Sequence, residues 1–186
     1  KRGWVFTPAH FLDLGNHKSV LKALQILSDR GQIRRLARGL YDYPKQHPTL
    51  GDLLPTPDAI ARAMADKDSS RLQPSGAYAA NLLGLSEQVP AKVVFLTDAI
   101  DRRITVGKQE IVLKRTTPKN MATAGRISGL VIQALRYLGQ DNVTDAVVAK
   151  LRNRLGPTER LQLVRDVRYA PAWIGVILRR LATDDE

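Results

Sequence analysis

The sequence predicts an α+β fold: an N-terminal winged helix-turn-helix, then a small antiparallel sheet, then a C-terminal helical bundle. Three observations predict it. Between Thr7 and Pro44, two capped helical segments precede a pair of short strands turned at a glycine. Between residues 92 and 115 the apolar period falls to two. From residue 124 onward it returns to three and four. The expected division is a winged-helix domain at 1–47, a linker at 48–57 and a second domain at 58–186.

The N-terminal elements rest on local chemistry. Thr7-Pro8 is a helix start, a capping hydroxyl followed by a proline whose missing N–H costs nothing there. The first helix is expected to carry Phe11, Leu12 and Leu14 and to turn at Gly15. Asn16 is the next cap and opens a helix to about Arg30, stopped by Gly31. In that helix Val20, Leu21, Leu24 and Leu27 form an apolar stripe. Lys18, Ser19, Lys22 and Gln25 fall on the other face, and such donors suit base edges and phosphates in a major groove. Gln32–Leu36 and Leu40–Tyr43 then read as strands around Ala37-Arg38-Gly39, with Arg34, Arg35 and Arg38 decorating the wing. Tyr41 and Tyr43 are expected to pack the wing.

Lys45–Pro57 holds three prolines and a glycine, which predicts an extended linker. Thr56-Pro57 opens a helix through Asp58–Ala65, and Ser75 is expected to cap a short helix ending near Gly84. Lys92–Thr97, Arg103–Val106 and Gln109–Arg115 predict a three-stranded antiparallel sheet with a turn at Gly107-Lys108. Ala124–Leu138 aligns Ile127, Leu130, Val131, Ala134, Leu135 and Leu138 on one face, with Thr123 as its cap. Helices at Thr144–Leu155, Thr158–Val167 and Pro171–Leu181 follow, and Thr183–Glu186 is expected to fray.

The charge is concentrated near the start. The 186 residues carry a net +11 and a pI near 10.3. Residues 1–47 hold 9 Lys+Arg against 3 Asp+Glu, or +6. Residues 48–120 contribute +2 and residues 121–186 contribute +3. A basic chain favours polyanions in general, and concentration in the predicted winged helix favours double-stranded DNA. No apolar run approaches the ~20 residues of a spanning helix, so no membrane partner is expected. The absence of cysteine excludes disulfides and thiolate metal sites and fits a cytoplasmic protein.

Enzymatic chemistry finds little support. His10 and His17 are separated by the Gly15-Asn16 break and suit a surface or groove-edge position better than a metal. No histidine follows His47 to serve as base for a serine or threonine nucleophile. Ser75-Gly76 lacks the strand–elbow context of a hydrolase. Asp98, Asp101, Glu110 and Lys114 could serve a metal-dependent nuclease if they clustered, but a solvated Glu110–Lys114 pair on one strand face is the simpler expectation. No catalytic residue, metal or cofactor is therefore assigned. A second basic patch is read at Lys114, Arg115, Lys119 and Arg126, around Thr116-Thr117-Pro118 and Asn120, with Arg71 and Tyr78 as possible neighbours. It is either a solvated connector or a second phosphate or partner contact.

The blocks RRLARGLYDYP, RLQPSGAYAANLLGLSEQVPAKVVFLTD and LKRTTPKNMATAGRISGLVIQALRYLG resemble the AbiEi-type antitoxins of bacterial toxin–antitoxin systems, from about Arg2 to Leu181. The resemblance implies an N-terminal winged helix that binds operator DNA, commonly inverted repeats, and represses its own operon. It also implies a C-terminal domain that opposes a nucleotidyltransferase-type toxin. In that family a helix precedes the segment that here reads Arg2-Gly3-Trp4-Val5-Phe6, so a helix ahead of Gly3 is implied too. Two other readings stay open on the residues themselves: a protein-interaction module that does not read DNA, and a metal-dependent nucleic-acid-processing enzyme.

Overall fold

Asn16 sets the first long element. In the computed structural model, which describes residues 1–65 and 70–183, its side chain accepts a hydrogen bond from the Ser19 N–H at 2.9 Å and opens α1 (His17–Asp29). Gly31, at φ +67°, ends it in the left-handed region where glycine is cheap. Val20 and Leu24 are buried against Phe6, Ile33 and Tyr41, with Phe11 and Leu27 packed alongside. Leu21, expected in that stripe, is instead exposed on a flank of the helix. Replacing Asn16 with alanine should cost about 1 kcal/mol by leaving an N–H unpaired, read as a lowered thermal midpoint.

The helix expected before α1 is a single 3-10 turn, Pro8–Phe11. Its span is too short to offset the cost of helix nucleation, and Leu12 and Leu14 stay exposed rather than buried. Gly15 does not take a left-handed conformation there. The first sheet has the order β1-β3-β2, from β1 (Val5–Phe6), β2 (Arg34–Ala37) and β3 (Leu40–Asp42), all antiparallel. Ala37 pairs with Leu40, leaving Arg38-Gly39 as the turn, with Gly39 at φ +73°. Tyr41 is buried and stacks on Phe6.

The expected linker is partly structured. β4 (Lys45–His47) and β5 (Gly51–Leu53) form a hairpin, and the His47 ring accepts the backbone N–H groups of Thr49 and Leu50 at 3.3 Å. The prolines flank the paired residues and so do not interrupt the ladder. Thr56 caps α2 (Pro57–Ala65) as expected, its hydroxyl accepting from the Ala59 N–H at 3.3 Å.

The second sheet has four strands rather than three. Its order is β6-β7-β9-β8, from β6 (Leu72–Ser75), β7 (Lys92–Thr97), β8 (Arg102–Val106) and β9 (Gln109–Arg115). β6 carries a proline and no alternation, which hid it. The sheet is also mixed, because β7 and β9 run parallel from Lys92↔Glu110 to Thr97↔Arg115. The β8–β9 hairpin inserts β9 beside β7, so antiparallel neighbours in sequence yield a parallel pair in space.

One core lies between this sheet and α2, gathering Ile60, Met64, Tyr78, Val93, Phe95, Ile111 and Leu113. Val5 and Leu40 of the first sheet join it, so residues before and after the linker share apolar packing. A second core lies among α3 (Gly76–Leu82), α5 (Ile127–Leu138), α6 (Asp145–Arg154), α7 (Pro157–Asp166) and α8 (Ala172–Ala182). Leu135, Leu151, Leu163, Ile174 and Leu178 are wholly buried in it.

A short helix, α4 (Pro118–Met121), precedes α5. α5 starts three residues later than expected, with Arg126 rather than Thr123 at its cap, because Thr123 is buried beneath the helix. Thr144, expected as the first residue of its helix, is instead the cap of α6, accepting from the Val147 N–H at 3.4 Å. Ser75 occupies the cap position of α3 but gives its hydroxyl to Gln133 Oε1 at 3.2 Å. Of the tail expected to fray, Asp184–Glu186 lies outside the described residues. Among the described residues no helix is long and apolar enough to cross a membrane.

Candidate nucleic-acid interface

Helical spacing puts Lys18, Lys22 and Gln25 on one outward face of α1, and all three are exposed. Gln25 is not idle there, since its Nε2 donates to Asp29 Oδ1 at 2.7 Å. Ser19 is exposed but lies a quarter-turn away, bordering an apolar hollow with Trp4, Phe11 and Leu14. Of the four residues expected to face a groove, three share the face and Ser19 does not.

The three wing arginines divide in the same way. Arg34 sits opposite Asp42 in the β2–β3 ladder and grips it with two bonds, Nε to Oδ1 at 3.0 Å and Nη2 to Oδ2 at 2.6 Å. Nη2 also donates to the Leu53 carbonyl at 2.8 Å, tying the wing to β5. Asp42 is 1% exposed, and its hydrogen bond raises the Arg34 pKa above the ordinary value. Arg34 is therefore engaged in a structural ion pair, unlike the free cation expected of it. Arg35 and Arg38 are exposed and have no protein hydrogen-bond or ion-pair partner among the described residues.

Arg35 and Arg38 rim a groove of about 470 Å³ between the β2–β3 hairpin and the start of α1. His17 and Leu21 form the helix side, each one residue from Lys18 or Lys22. Arg102, the first residue of β8, forms a further wall, fixed by a hydrogen bond from Nη1 to the Met64 carbonyl. Sequence reasoning missed Arg102 because more than sixty positions separate it from the wing, and no local pattern marks it.

The second basic patch comes apart. Arg126 pairs with the buried Asp166 at 2.9 Å, and Ser128 donates to the other carboxylate oxygen, so Arg126, though exposed, is engaged in an ion pair at the edge of the bundle. Lys114, Arg115 and Lys119 remain exposed. Lys114 and Arg115 succeed one another on β9 and so emerge on opposite faces of the sheet. Arg71 is held by Asp98 and by the Met121 carbonyl, and its hydrogen bond keeps the Asp98 carboxyl below the ordinary carboxylate range. Tyr78 is buried and donates to Asp58, and burial together with that bond pushes its hydroxyl pKa up.

The carboxylates near the sheet are held apart by separate partners. Asp98 takes Arg71, Asp101 accepts the Arg115 N–H at 2.6 Å, and Glu110 pairs with Arg103 at 3.0 Å. Glu110 does not pair with Lys114 as expected. Its cross-strand neighbours bring Arg103 and Lys92 within reach instead. Among the described residues no three metal-ligating side chains converge. His10 turns its Nδ1 back to the Thr7 N–H at 3.1 Å.

A family model described as a family of unknown function (DUF6088) matches residues 1–162. No curated protein and no solved structure matches the chain.

Proposed function

The chain belongs to the DUF6088 family, a family of unknown function, and from that premise we propose that it is a double-stranded DNA-binding transcriptional regulator. The reading element is a winged helix reduced to α1 and the β2–β3 wing. One observation carries this: Arg35 and Arg38, unpaired among the described residues, stand across a groove from His17 and Leu21 of α1, the helix that exposes Lys18 and Lys22 on the adjoining face. Among the described residues no acidic side chain lines that groove. The excess of +6 within residues 1–47 supports the same reading. In this arrangement Lys22 and Gln25 reach base edges, while Arg35 and Arg38 grip phosphates beside them. The resemblance of three sequence blocks to AbiEi-type antitoxins supports a more specific reading. The regulator would then be the autorepressing antitoxin of such an operon, with a nucleotidyltransferase-type toxin as partner.

Fluorescence anisotropy with duplexes from the protein's own promoter tests the proposal. Arg35→Ala with Arg38→Ala should weaken binding to every sequence and flatten the salt dependence of log K by about two, near 0.9 for each phosphate no longer neutralised. Gln25→Ala should change the preference among sequences instead. Unchanged affinity of the double arginine variant across salt concentrations would remove the wing from the interface. A folded protein with no affinity for promoter duplexes would favour the protein-interaction reading.

A further inference from the structure

The groove between α1 and the wing is built for more than phosphates. A track for a DNA backbone needs cations, yet the floor here is apolar: Pro8, Leu12, Leu21 and Tyr41 lie beneath the rim. Leu12 is 47% exposed and Leu21 37%, so apolar surface is left to water inside a concavity. Its volume, about 470 Å³, falls in the range of small-molecule pockets. Among the described residues the charged lining is cationic, with Arg35 and Arg38 free to pair and Arg102 anchored in the wall. His17 completes that side and adds a further donor.

From this lining we propose that the groove binds a small organic anion of nucleoside-monophosphate size and chemistry: a base whose flat face lies on aliphatic side chains, with a phosphate head. The body covers Leu12 and Leu21, and the head takes charge-assisted bonds from Arg35 and Arg38. Because the same arginines serve DNA in the function proposed above, the ligand and the duplex compete. That regulatory consequence rests on the DNA-binding reading, whereas the ligand site rests on the cavity and its lining alone. Competition is reciprocal, so each ligand weakens the other by the same factor.

A fluorescence titration of the full chain with N-methylanthraniloyl GMP tests this. Saturable binding at one site is expected, displaced by unlabelled GMP. Inorganic phosphate, which has the head without the body, should displace it at least about tenfold less well. Arg35→Ala with Arg38→Ala should weaken it by a similar factor, and Leu21→Asp, a change at an exposed position, should abolish it. Lys119→Ala, outside the groove, should leave it unchanged. Absence of saturable binding overturns the site, as does full affinity in the double arginine variant. Equal displacement by phosphate and GMP also overturns it, because the apolar floor then contributes nothing. If the nucleotide binds and promoter duplexes do not, the DNA-binding reading falls and the site stands. If duplexes bind through Arg35 and Arg38 and the nucleotide does not, the site alone falls.

Discussion

Arg34→Ala should destabilise the protein by about 3–5 kcal/mol, the cost of stranding a buried carboxylate. Asp42 is 1% exposed and receives both of its side-chain bonds from Arg34. Removal of the guanidinium also frees the Leu53 carbonyl and loosens the β4–β5 hairpin from the wing. Urea denaturation should show the midpoint falling with little change in slope. Replacing both partners, Arg34→Met with Asp42→Leu, should recover most of the loss, since apolar pairs of similar volume often replace buried ion pairs without penalty. A cost below about 1 kcal/mol, as for exposed pairs, would show that Asp42 is solvated. The same variant separates stability from binding. Under conditions where it is folded, its affinity for promoter duplexes should match the parent's, unlike that of the Arg35/Arg38 variant.

Gly129→Ala should cost about 3 kcal/mol, at the upper end of the overpacking range. A Cβ at Gly129 would stand 2.3 Å from the Thr123 carbonyl oxygen and 2.4 Å from Gln73 Oε1. Neither neighbour yields readily. Thr123 is buried main chain in the turn that starts α5, and Gln73 is 1% exposed in β6. Alanine's helix propensity returns about 1 kcal/mol at most, so the clash decides the sign. Calorimetry should place the thermal midpoint roughly 6–12 °C lower, at about 2–4 °C per kcal/mol for a chain of this size. An unchanged midpoint would mean that β6 and α5 are not in the close contact described.

Much of the fold was legible because its signals are local. Asn16 and Thr56 each cap the helix that the sequence assigns them. Gly31, Gly39 and Gly139 mark ends and turns where φ is positive. β-Branched and aromatic richness located β7, alternation located β8 and β9, and the periodicity of the last sixty residues located α5 to α8 within a few positions. Elements without a local signature were missed. β6 lacks alternation and exists because β7 offers it a ladder from Leu72↔Thr97 to Ser75↔Val94. The helix expected at Pro8 had a start signal but no burial to reward its continuation.

The candidate site divides along the same line. The sequence alone determined which side chains are cationic and which share the exposed face of α1, because charge and helical spacing belong to the chain itself. Tertiary structure decided which cations are available. It gave Arg34 to Asp42 and Arg126 to Asp166, left Arg35 and Arg38 free, and brought Arg102 across from a distant strand. An ion pair depends on a partner's position in space, and burial sets how tightly it holds. Neither quantity is carried by the identity of the arginine or its neighbours in sequence.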